Sequence, residues 1–316
     1  MCGQTFLHYP ERSYNDILLV LLAVLNIIIS LVAMPSNFLV IHTIVKRPSL
    51  RTASNILILS LAVSDFGVGL ITQPAFCVYK LAELKRNIGL FCASYWVYMI
   101  TLFSFGSVSF ATLTAITLDR FLAVYLHLRY QQIVTIQRYG ILVASLWLCS
   151  VLTALAKIFA ESWVPSIFGG LFLIGGLLVN FVCIFKISRI VQRHSRQIRQ
   201  QEASVQIHAQ QQSVQQSIDM RRYKKSVNTV YCVIFAFVLS YVPTIVVLIP
   251  YYVVQEYTRT IRLLFGFAET FIMFNGVLNP IIYCWKVKEI RRAARAVWRR
   301  MGCKEEIETL GQTSDG

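Results

Sequence analysis

The chain of 316 residues is 56% apolar and only 14% charged, and its formal net charge is +15. A soluble domain carries roughly 25% charged residues, so this composition excludes an ordinary soluble protein and favours a membrane protein. No Arg- or Lys-rich stripe alternates with aromatic residues on a soluble face. We therefore interpret the excess of Lys and Arg as a sign of membrane topology and of anionic lipids as partners. We do not expect nucleic acid as a partner.

Seven apolar runs have about the 20-residue length that a membrane-spanning helix needs. They cover residues 17–45, 53–79, 88–124, 139–156, 166–190, 226–254 and 261–285. The sequence predicts an all-α membrane protein with an N-terminal segment at 1–16 and a helix bundle over 17–285. Within the bundle, polar residues 191–225 are expected to form a flexible cytosolic third loop, flanked by helical extensions of the fifth and sixth spans. Residues 286–316 are expected to form a short amphipathic, basic eighth helix and a tail.

Basic residues are unevenly distributed along the chain. Of the 30 Lys and Arg residues, 23 fall within 46–51, 120–138, 186–225 and the segment after Trp285. Since loops on the cytosolic side are rich in Lys and Arg, the N-terminus is expected outside and the C-terminus in the cytosol. An odd number of spans gives the same orientation.

Ionisable residues interrupt the second and third apolar runs. Asp65 lies near the middle of the second run and must be neutral, paired or bound to a cation. Asp119 and Arg120 stand side by side near the end of the third run. Ionisable groups within membrane helices are typically functional. The alternative is a helix end at the head groups, with Arg120 reaching to water.

The seventh run carries polar residues with helical spacing. Asn275, Asn279 and Tyr283 recur every four residues and so share one helix face. An adjacent stripe, expected to face the interior, contains Glu269, Met273, Gly276 and Pro280.

Together these positions match an ordered set of motifs. They are Asn37; L-A-V-S-D ending at Asp65; Asp119-Arg120-Phe121; Trp147; Phe237 with Tyr241-Val242-Pro243; and Asn279-Pro280-Ile281-Ile282-Tyr283. The chain from about Ser36 to Cys303 thus resembles the rhodopsin-like (class A) G-protein-coupled receptors. It departs from their usual pattern by having Phe121 in place of Tyr and Tyr241 in place of Trp.

The resemblance implies a seven-transmembrane bundle and roles for individual residues. The implied switch and G-protein-coupling residues are Asp119, Arg120, Phe121, Leu128, Pro243, Pro280 and Tyr283. The implied polar core, which holds a sodium ion at the carboxylate in relatives, consists of Asn37, Asp65, Ser109, Asn275 and Asn279. Gly276 stands where relatives often have Ser, so one sodium ligand is missing.

The implied ligand pocket lies at the other end of the bundle. Its predicted lining is Tyr98, Met99, Leu102, Phe103, Gly106, Tyr241, Thr244, Phe265 and Glu269. Leu102 occupies the position of the aspartate of amine receptors, and Met273 that of the retinal lysine, so neither a typical amine nor retinal is expected. A small molecule or a peptide remains. Glu269 is either a ligand anchor or a structural partner of Lys157 or another outer base.

The outer end also departs from the family in its cysteines. Tyr95 stands where the family has its disulfide cysteine, so the usual disulfide is expected to be absent, with Cys2–Cys92 as the alternative pairing. A short second outer loop and the H-L-R-Y of residues 127–130 are similar to the melanocortin and adenosine receptor group. Cys303 is either palmitoylated or an unmodified thiol.

The function expected from the resemblance is that of a plasma-membrane receptor. Its expected partners are an extracellular ligand, a heterotrimeric G protein, arrestin, a receptor kinase and anionic inner-leaflet lipids. The alternative is a transporter or channel, although no internal repeat supports it. No catalytic constellation is recognised, so we expect no enzyme, and no cofactor besides the sodium ion.

Overall fold

A computed structural model describes residues 15–126, 129–159, 164–204, 238–248, 259–286, 291–292 and 295–296. Over these ranges the chain is helical with short connections and contains no β-strand. Six of the described helices are long and apolar enough to cross a membrane. The predicted fold class, an all-α membrane protein, is confirmed.

The helices follow one another in the order expected of a membrane bundle. They are α1 (Asn15–Lys46), α2 (Ala53–Leu84), α3 (Ile88–Leu126), α4 (Ile136–Phe159), α5 (Val164–Ser204), α6 (described over Val238–Leu248) and α7 (Arg259–Lys286). Two short helices, Pro48–Leu50 and Tyr130–Ile133, lie after α1 and α3. Helix α5 continues past the predicted apolar run that ends at residue 190. The predicted eighth helix falls almost entirely outside the described residues, as do Leu128 and Cys303.

Helix α2 lies at the centre of the bundle. Of its most apolar stretch 61% is buried, against 11% for α4. The outer surface carries large apolar side chains, with Leu148 62% exposed and Phe181 68% exposed. In a membrane protein such side chains face lipid. The interior therefore contains small and polar side chains as well as apolar ones.

The buried apolar side chains form two clusters, one toward each end of the bundle. The cluster at the end that carries Asp119 includes Leu61, Leu113 and Ile282. The cluster at the other end includes Phe76 and Tyr98. We call these ends the Asp119 end and the Glu269 end.

Helices α2 and α3 each contain one π turn, at Val68–Thr72 and at Leu102–Gly106. The Phe105 ring lies so close to Gly67 that an added Cβ there would stand 2.8 Å from it. The Ser30 hydroxyl of α1 donates a 2.7 Å hydrogen bond to the Gly69 carbonyl. A π turn inserts one residue into a helix, so it rotates the faces of α2 and α3 beyond it.

Hydrogen bonds between side chains join the more exposed helices to the centre. The Trp147 indole of α4 donates to the Ser60 hydroxyl of α2 at 3.1 Å. The Asn180 amide of α5 donates to the Thr114 hydroxyl of α3 at 2.9 Å. Polar pairs of this kind hold membrane helices together because lipid offers them no alternative partner.

The disulfide at the Glu269 end lies away from the family's usual position, which Tyr95 occupies. Cys92 is disulfide-bonded, whereas Cys77, Cys149 and Cys183 are free thiols. Its partner is therefore not one of these three and lies outside the described side chains. The Cys2–Cys92 pairing stays a prediction.

Candidate functional site

Polar side chains gather at three depths of the bundle. The Asp119 cluster comprises Asp119, Arg120, Ser54, Tyr130 and Tyr139. The Asp65 core comprises Asp65, Ser109, Asn275, Asn279 and Asn37. The Lys80–Glu269 cluster comprises Lys80, Glu83, Tyr98, Arg262 and Glu269.

The Asp119 cluster is organised around one buried carboxylate, which is 1% exposed. The Tyr130 phenol donates to Asp119 Oδ1 at 2.7 Å and the Tyr139 phenol donates to the same atom at 2.8 Å. The Ser54 hydroxyl donates to Oδ2 at 3.0 Å. Three donors from α2, α4 and the Tyr130–Ile133 turn thus converge on one side chain of α3.

Arg120 makes a weaker contact with the same carboxylate. Its Nε lies 3.5 Å from Asp119 Oδ2, and its side chain is 36% exposed. The sequence therefore identified the pair, but hydroxyl groups rather than the guanidinium provide the short contacts. The signal for Tyr130 was its place in H-L-R-Y, whereas Ser54 and Tyr139 carried no motif.

The phenols of this cluster are suited to donate. Tyr130 lies outside the membrane-spanning stretches, and burial raises the pKa of its phenol above the ordinary tyrosine value. A phenol with a raised pKa keeps its proton at physiological pH. Tyr130 therefore remains a donor to Asp119.

The Asp65 core lies at mid-depth and joins four helices, α1, α2, α3 and α7. Asp65, 3% exposed, accepts a 2.9 Å hydrogen bond from Ser109 of α3 and a 2.8 Å bond from Asn279 Nδ2 of α7. The Asn37 amide of α1 donates to the Gly276 carbonyl of α7 at 2.8 Å. The structure thus brings together Asp65, Ser109 and Asn279 as the sequence predicted.

The core also contains polar atoms without a protein partner. Asn275 Oδ1 and Nδ2 and Asn279 Oδ1 are buried and accept or donate no hydrogen bond within the described part of the chain. An added Cβ at Gly276 would stand 3.5 Å from the Asp65 Cβ, so the space here is narrow. Oxygen donors around one carboxylate suit a hard cation, and the donor set fits sodium.

Aromatic rings connect α3 to α5 and α6 next to the Asp65 core. The Phe110 ring of α3 lies 5.0 Å from that of Tyr241 and 5.2 Å from that of Phe172, measured between ring centres. Phe110 also fills the space beside Gly176, where a Cβ would collide with its ring. Gly176 therefore lets α5 approach α3 closely. Pro243 follows Tyr241 by two residues inside α6.

The Lys80–Glu269 cluster closes the opposite end. Lys80 is 1% exposed, and its ammonium lies 4.5 Å from the Tyr79 ring centre. Glu83 lies 3.9 Å from both Lys80 and Arg262. Half-buried Glu269 has Lys80 as its charged neighbour and Tyr98 as its hydrogen-bonding neighbour. Lys80 gave no sequence signal, because a lysine near a helix end normally reaches water.

The other predicted pocket residues fall into separate groups. Tyr98 is fully buried and packs with Met99, Leu102 and Met273. Phe103 and Gly106 belong to the π turn of α3, whereas Tyr241 belongs to the apolar cluster at the Asp119 end. Thr244 and Phe265 are half-buried on α6 and α7.

Two predicted switch residues lie in α7, namely Pro280 and, by its backbone, Tyr283. The Tyr283 side chain is outside the described residues.

The sequence pattern of the seven-transmembrane receptors of the rhodopsin family matches residues 36–166 and 163–283. These matches cover most of the chain. The protein belongs to this receptor family. It is therefore a multi-pass membrane protein of a receptor family, not of an enzyme family, and the resemblance to class A G-protein-coupled receptors is confirmed.

Individual receptors are similar over most of their length. Adenosine receptor A3 of Ovis aries is 24% identical over 84% of this chain and 86% of that receptor. G-protein coupled receptor 12 of Homo sapiens is 27% identical over 81% of this chain and 75% of that receptor. Trace amine-associated receptor 9 of Rattus norvegicus is 27% identical over 85% and 84%, respectively.

The Asp119 cluster generates a stability prediction for the receptor. Replacing Tyr130 and Tyr139 together by Phe removes two of the three hydroxyl donors from a buried carboxylate. Since a hydrogen bond to a charged group contributes about 1.5–3 kcal/mol, we expect a clearly lower unfolding temperature in detergent. Tyr125→Phe, on an exposed part of α3, is the control. Equal midpoints for the double variant and the control would contradict the cluster's structural role.

Proposed function

We propose that this receptor binds an extracellular ligand within the Glu269 end of the bundle and activates heterotrimeric G proteins at the Asp119 end. The observation that carries the proposal is the Asp119–Arg120 pair, at the end of α3 in a chain of this receptor family. The uneven Lys and Arg distribution supports a cytosolic Asp119 end and an extracellular N-terminus. A plasma-membrane location follows from a receptor role.

Activation is proposed to release Arg120 and move α6 outward. Pro243 in α6 and Pro280 in α7 interrupt helical hydrogen bonding, so each is a place where a helix can bend. Phe121, Leu128 and Tyr283 would complete the surface that receives the G protein. Arrestin and a receptor kinase are proposed as further partners of the same active state. The change is a two-state equilibrium that the ligand biases.

The Phe110–Tyr241 contact supports a route from ligand to α6. Tyr241, which the sequence predicts to line the ligand pocket, packs in the cluster at the Asp119 end against Phe110, and Phe110 fills the space beside Gly176. A ligand that displaces Tyr241 would therefore shift the packing between α3, α5 and α6. Closely packed interfaces switch between discrete arrangements rather than deforming smoothly.

The ligand class is proposed from the pocket. Receptors named for a nucleoside and for trace amines match this chain at 24% and 27% identity, so similarity does not separate them. Leu102 at the amine aspartate position argues against a typical amine. A small molecule or peptide whose hydrogen-bonding group reaches Glu269 is the ligand we propose.

Asp65 is proposed to bind a sodium ion together with Ser109, Asn275 and Asn279. The buried oxygens of Asn275 and Asn279, which have no hydrogen-bond partner among the described residues, support this proposal. Bound sodium would neutralise the carboxylate of Asp65, and the side-chain oxygens of Ser109, Asn275 and Asn279 would hold the ion between α3 and α7.

Removal of the Arg120 guanidinium tests the coupling. We expect Arg120→Ala to reduce ligand-driven nucleotide exchange about tenfold or more, since coupling free energies are typically 1–3 kcal/mol. The ligand is first found by screening cells that report cyclic AMP and calcium. Arg129→Ala, which removes an exposed base on the same side, is the control. Normal exchange by Arg120→Ala at equal surface expression would refute the coupling role.

Glu269→Gln tests the ligand anchor. Loss of a charged hydrogen-bond acceptor is expected to lower ligand potency roughly 10- to 100-fold, with the maximal response retained. Glu83→Gln, in the same cluster, should leave potency nearly unchanged. If Glu269→Gln lowered the unfolding temperature but not the potency, Glu269 would be the structural partner of Lys80 instead.

Asp65→Asn tests the sodium site. Sodium chloride should raise the unfolding temperature of the wild-type receptor above its value in choline chloride of equal ionic strength. At ten times the dissociation constant the stabilisation is about 1.4 kcal/mol. The Asp65→Asn variant should show no difference between the two salts. A sodium-dependent shift that survives in the variant would place the ion elsewhere.

A further inference from the structure

A groove opens between α3 and α5 at the Asp119 end, with a volume of about 430 Å³. This size is in the range of small-molecule sites in proteins. Three of its lining residues are basic, namely Lys186, Arg189 and Arg193, and none of its lining residues is acidic. The groove is therefore strongly cationic.

The three cations lie on one face of α5, because residues three, four and seven positions apart share a helix face. Among the residues that the structure describes, no carboxylate forms an ion pair with Lys186, Arg189 or Arg193. Three like charges at this spacing repel one another, and an anion between them would relieve the repulsion.

Aromatic rings form the apolar floor of the groove. The Lys186 ammonium lies 5.8 Å from the centre of the Phe121 ring, and the Arg189 guanidinium lies 4.6 Å from that of Phe185. The Tyr125 ring stacks on Phe121 at 5.5 Å. Contacts between cations and ring faces hold the cations in position while their N–H groups stay available. With Phe185 51% and Tyr125 64% exposed, the floor is open to the surroundings.

The depth of the groove matches the boundary of the membrane. The apolar stretch of α5 ends at Ile190 and that of α3 at Leu126. The cations extend from residue 186 to residue 193, about 10 Å along the helix axis. The head-group layer of one leaflet is roughly 5–8 Å thick. The aromatic floor therefore borders the acyl chains, while the cations reach the level of lipid phosphates.

We propose that this groove binds one inner-leaflet phospholipid whose head group carries several phosphates. The phosphates contact Lys186, Arg189 and Arg193, and one acyl chain follows Phe121, Tyr125 and Phe185. A head group with a single net charge would leave two of the three cations without a counter-ion. The inference uses the orientation proposed above but requires neither a ligand nor a G protein.

The test measures lipid retention by the purified full-length chain in phosphatidylcholine nanodiscs. Phosphatidylinositol bisphosphate is added, and bound lipid is counted by native mass spectrometry. We expect one molecule to be retained, in preference to phosphatidylserine supplied at equal total charge. Replacing both Lys186 and Arg189 by Gln should weaken retention roughly 30-fold, as expected for two cations near a membrane surface.

Replacing Lys46 and Arg47 by Gln is the matched control. It also removes one exposed Lys and one exposed Arg from the same side, but outside the groove. If both double variants lost lipid retention equally, the retention would depend on general surface charge, and the proposal would be overturned. Equal retention of phosphatidylserine, or equally tight binding of soluble inositol trisphosphate, would also overturn it.

A protein occupant would give a different result. If the Lys186 and Arg189 double variant kept its lipid but lost nucleotide exchange, the groove would belong to the G protein. Because both side chains are exposed, we expect the variant to unfold at the wild-type temperature. Retention is measured without ligand, so a failed ligand screen leaves the lipid result intact.

Discussion

A carboxylate in the low-dielectric interior of a membrane bundle needs hydrogen-bond donors or a cation, and this requirement governs the whole arrangement. Asp119 meets it with hydroxyl groups from α2, α4 and the turn after α3. Asp65 meets it with donors from α3 and α7. Each acid thereby fixes several helices relative to one another, and the apolar side chains fill the space between these two points.

The partners of Asp119 change how its pairing with Arg120 should be understood. If the guanidinium were the main partner, its departure would leave a buried charge unsatisfied. In the proposed activation, three hydroxyl donors would remain when Arg120 leaves, so the carboxylate would keep hydrogen-bond donors from the protein. The free-energy cost of the proposed release of Arg120 is correspondingly small, and α2, α3 and α4 would stay together during the proposed movement of α6.

The sequence predicted the fold class and the central contacts because membrane helices are long apolar runs and the motif residues are few. Asp65, Ser109 and Asn279 follow from such motifs. Ser54 and Tyr139 do not follow from a motif, because their contacts with Asp119 join distant parts of the chain. A sequence pattern does not distinguish a serine or tyrosine with such a contact from any other near a helix end. Lys80 was missed because its burial depends on the rings of Tyr79 and Phe76.

Each π turn gives its helix, α2 or α3, one residue more than a regular α-helix of the same length would contain. Returning either turn to α geometry would rotate everything on its Glu269 side by about 100° relative to the Asp119 side. Loss of a single residue within Leu102–Gly106 could thus be absorbed without disturbing Asp119 or its hydroxyl donors. In this receptor the π turn of α3 therefore separates the helix orientation at the Glu269 end from that at the Asp119 end.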